Sequence, residues 1–246
     1  MNSVRLMNTL ALLAATCAGL VVAGGALVWL AQRPYFSLRA IEVRGELQHV
    51  TSASVRAAVA GRLKGNYLTM RLDDTRRLLE GVPWVARASV RRVWPNRLLV
   101  TLVEHRALGV WDDGRLLSDQ GELFVANPAE AEVHGPLPAF QGPVSAARDA
   151  ARRYYEFAAQ LAPLGMSIAA VDVSARRSWS LQVEAADGAP TRLELGRETD
   201  AMALNYRMAQ IVAAYPMVAA RVGGTPQSID ARYPNGLAAS PPAKSR

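Results

Sequence analysis

The stretch Pro83–Ala107, PWVARASVRRVWPNRLLVTLVEHRA, carries five arginines among β-branched residues and two tryptophans, and its reading decides the fold. Around a turn at Pro95-Asn96 it divides into two runs. In the first, Ala86, Ala88 and Val90 alternate with Arg87, Ser89 and Arg91; in the second, Leu98, Val100 and Leu102 alternate with Leu99, Thr101 and Val103. A period of two is that of a strand with one buried face, so the pair predicts a hairpin whose arginines lie mainly in water. Upstream, LRAIEVRG (38–45) alternates in the same way and is closed by Gly45. Between these strands, Thr51, Ser52 or Ser54 can cap a helix carrying Val55, Ala58, Val59 and Leu63 at helical spacing. A second helix starts near Asp73-Asp74 and ends at Gly81. The order strand, helix, helix, strand, strand predicts a small α+β unit over Phe36–His105.

Beyond it the spacing predicts a larger, mixed β region with flanking helices. Short strand-like pieces, ALGVW and LLSDQGELFVA, turn at Asp113-Gly114 and Gln120-Gly121, and proline and glycine then thicken at HGPLPAFQGP. A helix follows from Ser145 and ends near Pro163 and Gly165, then strands at Ile168–Val173, Trp179–Glu184 and Thr191–Leu195, and a helix from about Asp200 to Tyr215. The last strand is expected at PQSIDARY, with Ile229, Ala231 and Tyr233 on one face and Ser228, Asp230 and Arg232 on the other. The terminal LAASPPAKSR has the composition of a disordered tail.

The N-terminus has a different character. From Leu6 to Gln32 there is no charged residue, and the apolar part, Leu10–Ala31, is long enough to cross the roughly 30 Å hydrocarbon core of a bilayer as a helix. A cleaved signal peptide would have a shorter apolar stretch of about 7–15 residues. LAATC resembles a lipoprotein box, but Thr16 is a poor residue before the cysteine and the apolar run continues past it. Arg5 precedes the span while Arg33, Arg39 and Arg44 follow it, so the distribution of arginine leaves the orientation open. The net charge is +7, yet 26 of the 28 basic residues are arginine, which fits a coding bias as well as a phosphate-binding surface. The lone cysteine, Cys17, excludes an internal disulfide and a zinc cluster.

Catalytic motifs are missing: no GxSxG, phosphate-binding loop, HExxH, GxGxxG after a strand, or paired Cys/His spacing. Glu104 and His105 are adjacent in a strand, so their side chains point to opposite faces and make a poor acid–base pair. Nothing in the pattern calls for a metal or a cofactor, and no enzymatic activity is expected.

The pattern PWV…A.VRR.WP..L.V.V.EH, from Pro83 through Glu104-His105, resembles the FtsQ/DivIB family of cell-division proteins. LLSDQGELF, RRSWSLQV, LELGR, Tyr215-Pro216 and SIDARYPNG follow in the order of that family, so the resemblance covers residues 5 to 236. It implies a cytoplasmic tail over 1–8, one membrane helix over 9–32, a POTRA domain over 36–105, a β domain over 106–236, and a disordered tail over 237–246. It also implies a non-enzymatic scaffold of the division septum, anchored in the inner membrane with most of the chain periplasmic. Its expected partners are FtsB and FtsL and, through them, the septal peptidoglycan synthase, and other division proteins are expected to meet the POTRA domain and the membrane helix. The tail before the span is short, and Ala231 stands where the family often has leucine.

The resemblance carries a partner site onto Arg232, Tyr233, Asn235 and Gly236, with Arg176 of RRSW nearby. If SIDARY is the last strand of its sheet, its outer N–H and C=O groups are unpaired and can accept a strand of FtsB. Tyr233 is then an aromatic anchor and Arg232 a charge that steers or pairs with acidic partner residues. Arg87 and Arg91 form a candidate recruitment face. Two other classes are weighed against this scaffold. One is a secretion-type POTRA subunit, for which a downstream transmembrane barrel is expected, but nothing after Leu195 alternates over the roughly 9–11 residues that a spanning strand needs. The other is an envelope enzyme, which the motifs disfavour.

Overall fold

The computed structural model describes residues 2–31, 37–63, 66–185, 188–198, 203–233 and 236–242. The chain folds as two compact units that meet between Glu104 and His105. It is an α+β protein with an N-terminal apolar helix, a POTRA unit and a larger sheet unit.

Helix α1 (Asn2–Ala31) holds the uncharged run, and it is long and apolar enough to cross a membrane. The POTRA unit follows as β1 (Ala40–Arg44), α2 (Ser52–Val59), α3 (Leu72–Glu80), β2 (Val85–Val93) and β3 (Arg97–Glu104). Thr51 caps α2 through a reciprocal bond with Ser54. Asp73 and Asp74 lie in the first turn of α3, where the helix dipole favours acids, and Arg71 rather than either aspartate is the N-cap residue. The sheet order is β1-β3-β2, with β1 parallel and β2 antiparallel to β3. Leu98, Val100 and Leu102 face a core closed by Val55, Val59, Leu79 and Trp84. Arg87, Ser89 and Arg91 are exposed on the opposite face, as their alternation predicts.

The second unit is one nine-stranded sheet covered by two long helices. Its elements are β4 (Ala107–Trp111), β5 (Leu116–Ser118), β6 (Leu123–Phe124), a short α4 (Pro128–Ala131), β7 (Ala139–Gln141), α5 (Ala147–Leu161), β8 (Ser167–Val173), β9 (Ser178–Glu184), β10 (Pro190–Arg197), α6 (Ala203–Val222), β11 (Ser228–Asp230) and β12 (Ala238–Ser240). The strand order is β12-β11-β10-β9-β8-β7-β4-β5-β6. Trp179, fully buried, meets Phe157 of α5 edge to face, and Leu193, Leu204, Met208 and Ile229 continue the same core.

Several expectations need correction. The proline- and glycine-rich HGPLPAFQGP holds a strand for which no expectation stood: AFQ is β7, parallel to both β4 and β8 in the middle of the sheet. The α6 helix runs through Pro216 to Val222 instead of stopping at Tyr215. The strand expected at PQSIDARY is β11, which ends at Asp230, so the alternation does not reach Tyr233. The expected tail contains β12, antiparallel to β11, and β11 therefore has neighbours on both sides. An open edge at SIDARY is excluded because β12 occupies it.

Candidate partner-binding surface

Three strands bring the expected site residues to one end of the large sheet. Residue Ser178, at the start of β9, pairs with Arg197 at the end of β10, and Asp230, at the end of β11, pairs with Glu194. Arg176 in the β8–β9 turn and Arg232 just past β11 thus share that end. Arg176 is exposed, with no ion partner among the described residues. Asn235 lies outside the described residues, and Gly236 is exposed two residues before β12.

Arg232 is exposed but not free. Its Nε and Nη2 donate to the Asp230 carboxylate at 2.9 and 2.6 Å, and its backbone N–H donates to the same group at 2.9 Å. The Arg232 guanidinium holds Asp230 below the usual carboxylate range. The surface therefore offers an arginine–aspartate pair where a lone cation was expected. The stem of Arg232 lies over Gly196, where a Cβ would come within 2.8 Å of Cγ, so glycine is needed for the close approach. Tyr233 is 59 % exposed, because the chain has left the sheet two residues earlier. Tyr233 is not a core aromatic.

The β8–β9 turn is fixed by a charge network without any local sequence signature. Arg177, with φ of 60°, donates to Asp149 Oδ2 at 2.6 Å and to Glu198 Oε2 at 3.2 Å. Arg153 is buried beside it and donates to Glu156 at 2.7 Å and to Glu198 Oε1 at 2.5 Å. Burial works against the charge on Asp149, but the hydrogen bonds from Arg177 and Arg152 outweigh it and hold its carboxyl below the ordinary value. The network joins α5, the end of β10 and the turn that bears Arg176.

The sheet edge beside this end belongs to β12. Ala238 and Ala239 are exposed, Ser240 is half-buried, and β11 is the one strand paired with β12 among the described residues. A short, small-residue edge of this kind presents unpaired main-chain groups to an extended segment.

In the POTRA unit, the Glu104 side chain is 8 % exposed and accepts the backbone N–H groups of Gln48, His49 and Val50 at 3.0, 3.1 and 2.6 Å. Burial alone would raise its pKa; the main-chain donors win and lower it. His49 stacks on Trp84 with ring centroids 3.8 Å apart, and Trp84 adopts the left-handed φ of 71°. Arg92 donates to the carbonyls of Tyr67 and Met70 at 2.6 and 2.5 Å. His105 stacks instead on Phe124, and burial pushes its pKa down. Trp84, Arg92 and Glu104, three residues of the opening motif, therefore pin loops. Among the described residues no cluster of His, Cys, Asp and Glu could hold a metal ion.

Fold and surface together define a POTRA-bearing protein with an apolar helix that fits a single membrane pass. The profile described as POTRA domain, FtsQ-type matches residues 36–105, and that described as cell division protein FtsQ/DivIB, C-terminal, matches residues 109–232. The chain is 44 % identical over 237 residues to the cell division protein FtsQ of Burkholderia pseudomallei, covering 96 % of this chain and 92 % of that one. It is 39 % identical to the FtsQ of Bordetella pertussis, over 94 % and 88 % of the two chains, and 36 % identical to that of Nitrosospira multiformis, over 91 % and 92 %. The chain belongs to the FtsQ/DivIB family of cell-division proteins.

Proposed function

We propose that this protein is a non-enzymatic scaffold of the division machinery that binds FtsB, and through it FtsL, by strand addition at the open edge of β12. The observation that carries the reading is an edge strand paired with one neighbour among the described residues, beginning five residues after the exposed Tyr233. Main-chain hydrogen bonds from a partner strand would supply affinity and register, and Tyr233 would add an aromatic anchor that is already exposed. The Arg232–Asp230 pair and Arg176, at the same end of the sheet, would select the partner's charge pattern. Arg87 and Arg91, exposed on the outer face of the POTRA sheet, are read as a recruitment face for other division proteins. The scaffold would sit at the septum in the inner membrane, with its N-terminus in the cytoplasm and its folded units in the periplasm.

Binding of the purified full chain to the extracytoplasmic segment of FtsB tests the site. Removing residues 238–246 deletes β12 but keeps Leu237, which packs on the core. Loss of binding with an unchanged thermal midpoint supports the β12 edge. Binding that survives, or improves because the edge of β11 is opened, refutes it.

A further inference from the structure

Trp94, also part of the opening motif, takes no part in pinning the loops. It is 73 % exposed, at the tip of the β2–β3 hairpin. The chain's charge is divided unevenly: residues 1–104 carry 14 Arg and Lys against 6 Asp and Glu, whereas the remainder is close to neutral. Two of these arginines flank the tip. Arg97 opens β3, opposite Val93 of β2 and Ala40 of β1. The backbone N–H of Arg39 donates to the Asn96 carbonyl at 3.0 Å, which fixes the entering chain against the hairpin turn. Both arginine side chains are on exposed residues, and neither has an acidic partner among the described residues.

Because β1 runs parallel to β3, the chain arriving from α1 enters the sheet at the hairpin end. Eight residues separate Ala31 from Ala40, so the start of β1, beside the tip, can lie no further than roughly 30 Å from the end of the apolar helix. A tryptophan flanked by arginines and tethered this close has the chemistry of an interfacial anchor. Its ring suits the headgroup boundary, and the guanidinium groups pair with lipid phosphates. Each arginine near an anionic bilayer raises local occupancy about fivefold, and the tether holds the tip at high effective concentration.

We propose that the hairpin tip, Trp94 with Arg39 and Arg97, docks on the surface of an anionic bilayer and orients the POTRA unit on the membrane that holds α1. This goes beyond the scaffold reading and does not depend on the FtsB site. It requires only that α1 be inserted.

The full chain is reconstituted in vesicles of phosphatidylethanolamine with 30 % phosphatidylglycerol, or of phosphatidylcholine, each with and without brominated acyl chains. Resistance to alkaline extraction establishes insertion of α1 independently. The Trp94 signal is the difference between the parent and Trp94→Phe. It should be quenched by brominated lipid and shielded from iodide in the anionic vesicles, and Arg39→Glu with Arg97→Glu should return it to water. A Trp94 signal that stays iodide-accessible and unaffected by bromine in inserted protein overturns the proposal, and would assign the tip to a protein partner. Quenching that is equal in the two lipids and indifferent to the double reversal also overturns it, since the arginines would then have no role. All three residues are exposed, and unchanged circular dichroism of the variants confirms that the fold survives.

Discussion

Replacing Glu104 with glutamine keeps the shape of the side chain and removes the charge that three backbone donors share. In the native unit, Gln48, His49 and Val50 all aim their N–H groups at this carboxylate. The Gln48 donor is at the surface and can be rehydrated at little cost, whereas Val50 is buried and its N–H has the shortest of the three bonds. Glutamine offers one acceptor oxygen and turns an amide NH2 toward the remaining donors. Hydrogen bonds to a charged group contribute about 1.5–3 kcal/mol each, and an orphaned buried donor costs about 1–3 kcal/mol. With partial rescue by water and the remaining oxygen, a net loss of about 1–2 kcal/mol is expected. In a unit of this size that lowers the thermal midpoint by about 5–15 °C. The pH dependence identifies the cause. The folded-state pKa of Glu104 is depressed, so its stabilisation is fully present above the unfolded-state value and is lost as pH falls through the folded value. The gap between parent and Glu104→Gln, followed by near-ultraviolet circular dichroism, should therefore be open at neutral pH and narrow below the ordinary glutamate pKa of 4.5. A gap that is absent at pH 7, or unchanged at about pH 3, would refute the assignment of the carboxylate as the clamp of this loop.

Tyr233→Ala should weaken FtsB binding by at least about 2 kcal/mol in a calorimetric titration, with the thermal midpoint nearly unchanged because the ring is exposed before binding. Arg153→Ala leaves the half-buried Glu198 without its closest cation; a loss of about 3–5 kcal/mol is expected, seen as a midpoint lower by on the order of 10 °C. Arg87→Glu with Arg91→Glu should abolish septal localisation of a fluorescent fusion while leaving FtsB binding intact, and unchanged localisation would return those arginines to an ordinary solvated face. Arg232→Glu should do more than reverse a charge, because the new carboxylate faces Asp230. Slower association with FtsB and an altered salt dependence are expected in stopped-flow measurements.

The βααββ unit was legible in the sequence because each of its signals is local. Strand alternation, the Thr51–Ser54 cap and the Pro95 turn act within a few residues, and a period of two fixes which side chains meet the core. The apolar run of α1 is equally local, and its length and composition alone make it a candidate membrane span. The motif around Pro83–His105 carried the family resemblance, though not the reason for its residues: Trp84 and Glu104 meet at His49 across a long stretch of chain. Local signals failed where strand identity depends on neighbours. AFQ and AAS are three residues each, one between prolines and glycines and the other of small residues in a polar tail, and each is a strand because β4, β8 or β11 offers it hydrogen-bond partners. The same dependence moved the open edge from β11 to β12 and turned Tyr233 into water. The pairing of Arg177 with Asp149 and Glu198 closes over separations of 28 and 21 residues, so only the packing of α5 against the sheet could bring those charges together. Sequence determined the elements whose energetics are settled within a turn or a hairpin; tertiary structure decided which edge stays open, because an edge exists only once every other strand has found its partners.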